Sequence, residues 1–311
     1  MRMISADEVR SALDFPSLVE ALRRIFSEGA TSPVRHHHDI EKKDEPTGTL
    51  LLMPAWSEAY IGVKVVAVTP GNSERGLPAV QGTYMLLDGT TGELAALIDG
   101  PMLTLRRTAA ASALGADYLA RRDAKHMVMA GTGALAPHLI EAHAAVRPIE
   151  SVTIWGRNPE KAEAMARELD GIGGRKVGFA AELQPAVAEA DLISCATLSP
   201  EALVLGEWLK PGQHLDLVGA FRPDMRETDD ACMQVARVFV DTRAGATKEA
   251  GDIVQAIASG ALKVEDIQAD LFEMTRGEAE GRGGGEEITL FKSVGSALED
   301  LAGATLAVER A

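Results

Sequence analysis

The sequence predicts an α/β protein, a doubly wound parallel-sheet domain inserted in a mixed α+β domain, on three observations. Short strand-like segments separated by turn residues fill residues 32–98, and no helix-period stretch interrupts them. Past Asp123, short apolar runs alternate with helix-period runs. A Gly-rich turn, Gly131-Thr132-Gly133, joins the first of those runs to its helix. The first pattern belongs to a mostly antiparallel sheet, the second to βαβ units around a parallel one. At roughly 150 residues per domain, 311 residues suffice for two.

The chain opens with a helix signal, since Ser5 and Glu8 have capping-box spacing. Pro16 begins a second helical run with Leu18, Leu22, Ile25 and Phe26 on one face. Strands are expected at 34–40, 49–53, 59–68, 83–87 and 93–98, with breaks at Pro70-Gly71-Asn72, Gly76 and Asp88-Gly89. An Ala-rich helix follows from Pro101 to Arg121. Beyond it the apolar runs 126–130, 152–155, 177–180, 192–195, 214–218 and 238–241 read as buried strands, and 135–146 and 159–169 as helices. The Gly- and Glu-rich stretch 277–287 reads as a mobile loop. A last helix is expected over 289–309, with Val294, Leu298, Leu301 and Val308 on one stripe and Gly303 weakening its middle. That helix is expected to return to the first domain, giving a substrate and dimerisation domain of residues 1–112 completed by 288–311, and a dinucleotide-binding domain of 113–287.

Asp and Glu total 46 against 31 Lys and Arg, a net charge of −15. Such a surface repels phosphate backbones and anionic lipid, so nucleic-acid and membrane partners are not expected. A locally basic pocket for a small anion remains compatible with it. No apolar run approaches the ~18–20 residues of a membrane helix, and the N-terminus lacks the apolar core of a signal peptide. Cys195 and Cys232 form no CxxC pair, which points away from a disulfide framework or a cysteine zinc site. The expectation is a cytoplasmic protein.

The string Gly131-Thr132-Gly133-Ala134-Leu135-Ala136 is GxGxxA, directly after a strand and opening a helix. Glycines there let backbone N–H groups approach a pyrophosphate, which sits at the positive end of the helix. A Gly-rich turn alone often only joins a strand to a helix. Here strand, turn, helix and next strand all fall at the spacing of a Rossmann-type site. The next strand ends in Trp155-Gly156-Arg157-Asn158, where an acidic residue would bind the ribose 2′-hydroxyl of NAD and an Arg suits the 2′-phosphate of NADP. A cation is disfavoured at a helix start, so Arg157, helped by Lys161, favours NADP(H), with NAD(H) as the other cofactor. The tract 281–285 has no strand before it and reads as loop.

Three cations stand in apolar settings. Lys64 lies within Ala59–Val68, where every other residue is apolar or Gly; Arg107 lies in the Ala-rich helix; Arg35 starts a strand. Each alone reads as an internal ion pair or a snorkelling side chain. Together, beside a dinucleotide site, they suggest a clamp for a substrate carboxylate. His36 and His38 share a strand face, yet no carboxylate or cysteine cluster completes a site, so no metal is expected.

The chain resembles the ornithine cyclodeaminase/mu-crystallin family over nearly its whole length. The strings that carry the resemblance are 100–110 (GPMLTLRRTAA), 131–136 (GTGALA), 152–157 (VTIWGR), 206–212 (GEWLKPG), 248–252 (KEAGD) and 291–295 (FKSVG). It implies a homodimer joined through the mixed domain, a nicotinamide cofactor and an amino- or imino-acid substrate. Arg35, Lys64 and Arg107 match the family's substrate-carboxylate cations, with Arg107 also beside the cofactor. Gln81 and Thr83 match a strand facing the nicotinamide. Thr197, Leu198, Val218, Gly219, Phe221 and Ser293 match cofactor-lining positions, and Glu249 an acidic pocket residue. Ornithine cyclodeaminases place a catalytic Asp where Phe221 stands, and phenylalanine neither accepts a proton nor orients an ammonium. Asp224 lies three residues on, past a proline.

The implied activity is NAD(P)H-dependent reduction of a cyclic α-imino acid, Δ1-pyrroline-2-carboxylate or Δ1-piperideine-2-carboxylate, to L-proline or L-pipecolate. Arg35 and Arg107 would fix the carboxylate, Lys64 would hold it or deliver a proton, and Glu249 would stabilise the iminium charge. Ornithine cyclodeaminase, an alanine-dehydrogenase-type enzyme and a non-catalytic NADP binder are the alternative readings.

Overall fold

The computed structural model describes every residue except Asp44, and every other side chain except those of Ser73 and Glu74. The chain divides into two compact units, Met1–Thr108 with Ser296–Ala311, and Ala109–Gly295.

In the first unit β1 (Arg2–Ile4) precedes α1 (Ala6–Ala12), which starts where the Ser5 and Glu8 side chains cap each other's backbone N–H. Asp14 caps α2 (Phe15–Glu28), accepting from the Ser17 N–H at 3.0 Å, and Gly29, at φ 83°, ends it. The strands β2 (His36–Ile40), β3 (Gly48–Trp56), β4 (Tyr60–Val68), β5 (Val80–Asp88) and β6 (Leu94–Asp99) follow, then α3 (Gly100–Leu119), whose residues from Ala109 on count with the second unit. The sheet order is β1-β6-β5-β4-β3-β2, antiparallel except for the parallel β1–β6 pair, a strand too short for the sequence to announce. Alternation turns Gly62, Lys64 and Val66 of β4 to one face, opposite Tyr84 of β5 in register with Lys64. The C-terminal helix, Ala297–Arg310, covers that sheet beside α2. Gly303, read from sequence as a weak point, is what admits this packing, because a Cβ there would lie 2.8 Å from Leu103 Cδ1.

The second unit runs β7 (His126–Ala130), α4 (Ala136–Val146), β8 (Ser151–Trp155), α5 (Pro159–Leu169), β9 (Lys176–Phe179), α6 (Leu183–Glu189), β10 (Leu192–Cys195) and β11 (His214–Leu217). Then come α7 (Asp230–Val235), β12 (Arg237–Val240), α8 (Arg243–Glu249), α9 (Gly251–Ser259), β13 (Ala269–Asp270), α10 (Leu271–Thr275) and β14 (Thr289–Lys292). Its sheet is parallel throughout, in the order β13-β12-β14-β11-β10-β7-β8-β9. Helices on both faces explain why β10, β11 and β14 are buried at every residue, polar ones such as Ser194, Asp216 and Lys292 included. From β7 the chain winds outward through β8 and β9, then returns to β10 on the other side. The crevice between the carboxyl ends of β7 and β10 is therefore the switch point where ligands bind in such sheets.

Two expectations change. Residues 289–292 are a strand between β11 and β12, and the terminal helix begins only after Ser296, whose side chain and Glu299 cap its start. So 288–295 belongs with the second unit, because four buried residues are too few for periodicity to separate a strand from a helix. The segment 277–287 is irregular but fastened: Arg282 donates to the carbonyls of Leu119 (2.5 Å), Gln213 (3.0 Å) and Glu287 (2.5 Å).

Candidate functional site

Gly131 has φ 133°, and a Cβ on it would lie 2.6 Å from the Ala196 carbonyl oxygen at the end of β10. Only glycine serves there. A Cβ on Gly133 would meet nothing within 4 Å, so the backbone of the turn stands open ahead of the first turn of α4. Thr132, Ala134 and Leu135 complete that turn, and Ala136 is the first residue of α4. Gly156 lets the end of β8 close on it, since a Cβ would come within 2.7 Å of Thr132 Cγ2. Beyond Trp155, Arg157 and Lys161 are exposed, and Asn158 caps α5 by accepting from the Lys161 N–H at 3.1 Å. An open glycine turn at a helix N-terminus, with cations and no acid at the tip of β8, fits a dinucleotide.

Behind the ends of β10 and β11 lies a group of buried charges. Glu227, Asp252 and Lys292 are all fully buried. One oxygen of Glu227 accepts from the Thr197 N–H (2.7 Å) and hydroxyl (2.8 Å). Asp252 Oδ1 accepts from the N–H groups of Glu227 (2.8 Å) and Thr228 (2.9 Å), and its Oδ2 is 3.3 Å from Lys292 Nζ. Lys292 Nζ also donates to the Gly219 carbonyl. Burial, and secondarily the Asp252 charge, push Glu227 up to about 7, against the opposing pull of Lys292 and the Thr197 donors. The Thr197 hydroxyl is thus turned inward, while Leu198 and Phe221 are exposed beside it and Val218 and Ser293 are buried. Ala220 carries φ 48°, the left-handed conformation that alanine rarely adopts, and its carbonyl accepts from the Gly251 N–H at 2.8 Å.

In the first unit Lys64 and Arg107 are 2% and 6% exposed, and both meet Asp300 of the C-terminal helix. Lys64 Nζ is 2.8 Å from Asp300 Oδ2, Arg107 Nε 2.9 Å from its Oδ1, and Arg107 Nη1 2.7 Å from Glu299 Oε2. Lys64 also donates to Thr104 Oγ1 at 3.4 Å. Two of the three cations that the sequence offers as a bare clamp, Lys64 and Arg107, are therefore already paired, as the ion-pair reading of each alone had it. Burial pulls the Lys64 ammonium from 10.5 down to about 8; Asp300 opposes this, and the positive charges of Arg107 and Arg35 add to it. Lys64 and Arg107 thus meet at Asp300, and the charge of Arg35 reaches Lys64. The Tyr84 hydroxyl, buried with no hydrogen-bond partner among the described residues, lies within the field of Asp300, which with burial keeps it protonated.

The other predicted residues fall as follows. Gln81 and Thr83 are exposed on the face of β5 opposite to Tyr84 and Lys64. Glu249 lies half-buried at the end of α8 in the second unit. His36 and His38 are exposed on the edge strand β2, 6.4 Å apart, and no metal-holding group occurs among the described residues. Ser194 and His143 meet the same oxygen of buried Asp216 (2.6 and 2.9 Å), a core network rather than a nucleophile and its base. Sequence reasoning missed Glu299, Asp300, Glu227, Asp252 and Lys292. Lys292, in Thr289-Leu290-Phe291-Lys292, carries the same signal that singled out Lys64, a charge inside an apolar strand.

The sequence profile of the ornithine cyclodeaminase/mu-crystallin family matches residues 3–311. A Delta(1)-pyrroline-2-carboxylate reductase of Paracoccus denitrificans is 40% identical over 302 residues, covering 96% of this chain and 94% of its own. The structure of the Thermococcus litoralis Delta(1)-pyrroline-2-carboxylate reductase in complex with NADH and L-proline matches with a TM-score of 0.93 at 34% identity, over 100% of this chain and 97% of that one. An archaeal alanine dehydrogenase dimer with bound NAD matches with a TM-score of 0.90 at 29% identity, over 100% and 95%. No helix among the described residues is long and apolar enough to cross a membrane.

Proposed function

Because the chain belongs to the ornithine cyclodeaminase/mu-crystallin family, we propose that it is an NAD(P)H-dependent oxidoreductase that reduces the C=N bond of a cyclic α-imino acid, Δ1-pyrroline-2-carboxylate or its six-membered homologue. The observation that carries the reading is the buried group of Lys64, Arg107, Asp300 and Glu299, with Arg35 in its field. When bound, the nicotinamide cofactor supplies the hydride that adds to the imine carbon. Arg35 and Arg107 hold the substrate carboxylate, Arg107 with its guanidinium already oriented by two acids. Lys64, still mainly protonated at neutral pH, holds the proton for the imine nitrogen. Glu249 is assigned to the iminium charge.

Phe221 favours this reading over cyclodeamination. Phe221 is 46% exposed, and the nearest acid in sequence, Asp224, is bound to Arg222 Nε at 3.0 Å, which engages it away from the role of a cyclodeaminase's carboxylate. A paired assay tests it: NADPH and NADH oxidation with Δ1-pyrroline-2-carboxylate, and ammonia release from L-ornithine with catalytic NAD+. Nicotinamide oxidation without ammonia is expected; ammonia and proline from ornithine would overturn the reading.

The preference for NADP(H) rests on Arg157 and Lys161. Arg157→Ala is expected to weaken NADPH binding about tenfold, the loss of one charge-assisted contact, and to leave NADH little changed. Equal loss for both, by fluorescence titration, removes the 2′-phosphate role. The protein is proposed to act as a homodimer.

A further inference from the structure

Glu227 is placed so that it acts on the dinucleotide turn through a short chain of contacts. Its carboxylate holds the N–H and hydroxyl of Thr197, and Thr197 follows Ala196, whose carbonyl packs on Gly131. A Cβ on Gly219 would strike both the Thr197 carbonyl and the Glu227 carboxylate, so the turns after β10 and β11 close over this acid without a gap. The second oxygen, Oε2, is buried and has no hydrogen-bond partner among the described residues.

The charges facing Glu227 are Lys292 from β14 and Asp252 from α9; Cys195 of β10 is a thiol that burial, with the Glu227 charge, keeps protonated. Two fully buried carboxylates thus share one ammonium, and with both ionised the group carries an uncompensated negative charge. Such a charge away from water is costly, and one proton removes it. The same proton weakens the acceptor that fixes Thr197, since hydrogen bonds to an ionised carboxylate are roughly twice as strong as neutral ones.

We propose that Glu227 is a positioning residue for the nicotinamide cofactor, and that the proton it takes or gives up sets how firmly the turn at Thr197 is held against the dinucleotide-binding glycines. The ionised form holds the turn and is the binding-competent one, so cofactor binding releases a proton near neutrality. Burial, which brings the titration of Glu227 near neutral pH, places this release in the working range. The inference rests on the cofactor assignment above.

NAD+ is the probe, because it lacks the phosphate monoester of NADP, which itself titrates near pH 6. In the full-length protein, NAD+ is expected to bind about tenfold more tightly at pH 8 than at pH 6. Calorimetry in two buffers of different ionisation enthalpy should show proton release on binding. Glu227→Gln keeps an oxygen for Thr197 but cannot ionise, and should bind at both pH values with the weaker affinity of the wild type at pH 6. Thr197→Val removes one donor to the anion and should move the wild-type transition to higher pH, which keeps the test open should the glutamine variant fold poorly. Wild-type binding that is independent of pH with no proton exchanged, or an unchanged pH dependence in Glu227→Gln, overturns the inference. Absence of nicotinamide binding at any pH overturns the cofactor assignment itself, and the inference with it.

Discussion

Asp300→Ala is expected to lower folding stability by on the order of 3–5 kcal/mol, the usual cost of removing one partner of a buried ion pair. Asp300 is the shared counter-ion of two nearly inaccessible cations. Arg107 would keep Glu299, at 2.7 Å, but Lys64 would retain only the neutral Thr104 hydroxyl at 3.4 Å. A lysine left so must shed its proton or draw water into the core, and either costs stability. Asp300→Asn preserves shape and one acceptor oxygen, so its loss should be smaller. Urea unfolding of the three proteins at pH 7 checks this, with the slope compared to confirm that the same surface is exposed. An alanine variant within 0.5 kcal/mol of the parent would show that the pair does not hold the first unit together.

Lys64→Met is expected to lower kcat with the cyclic imine by about 100- to 10,000-fold, the range for loss of a positioned proton donor. The variant loses the Lys64–Asp300 pair, but Asp300 and Glu299 both still pair with Arg107, so neither acid is left without a cation. The diagnostic is the pH profile. Lys64 carries its proton below about 8, so wild-type kcat should fall as pH rises through that value. Since Asp300 favours the ammonium, Asp300→Asn should carry the fall to lower pH, and Lys64→Met should abolish it. Stability runs the other way across the basic window. Between about 8 and 10.5 the unfolded chain binds the lysine proton more than the folded one does, so stability rises with pH there. A methionine variant with the full rate and the parental profile would remove Lys64 from the chemistry and leave it a structural cation.

The features that the sequence made legible are those settled by near neighbours. The capping box at Ser5, the βα turn at Gly131 and the apolar run around Lys64 all follow from residues a few places apart. Asp300 was not legible, because in Leu298-Glu299-Asp300-Leu301 an acidic pair between the apolar positions of a helical run reads as its solvated face. Its partner Lys64 lies 236 residues away, and only the tertiary structure joins them. Glu227 was hidden for the same reason among the acids of Arg226-Glu227-Thr228-Asp229-Asp230. The strand 289–292 was hidden otherwise: its four residues extend without a break toward a helical stripe, and Ser296 with Glu299 was the local sign of where the helix begins.

The return of the C-terminal helix to the first unit has a consequence for the order of events on the ribosome. Residues 109–295 are continuous in the chain and can close their sheet as soon as they emerge. Residues 1–108 cannot, because the acids that neutralise Lys64 and Arg107 are translated after the whole of the inserted unit. Until then the nascent first unit carries two cations with no anion to bury them against, and its central strand stays wet. The later-made unit thus matures first, and a ribosome stalled before Ser296 would hold a finished dinucleotide fold tethered to an unfinished partner, a species for chaperones or proteases rather than for catalysis.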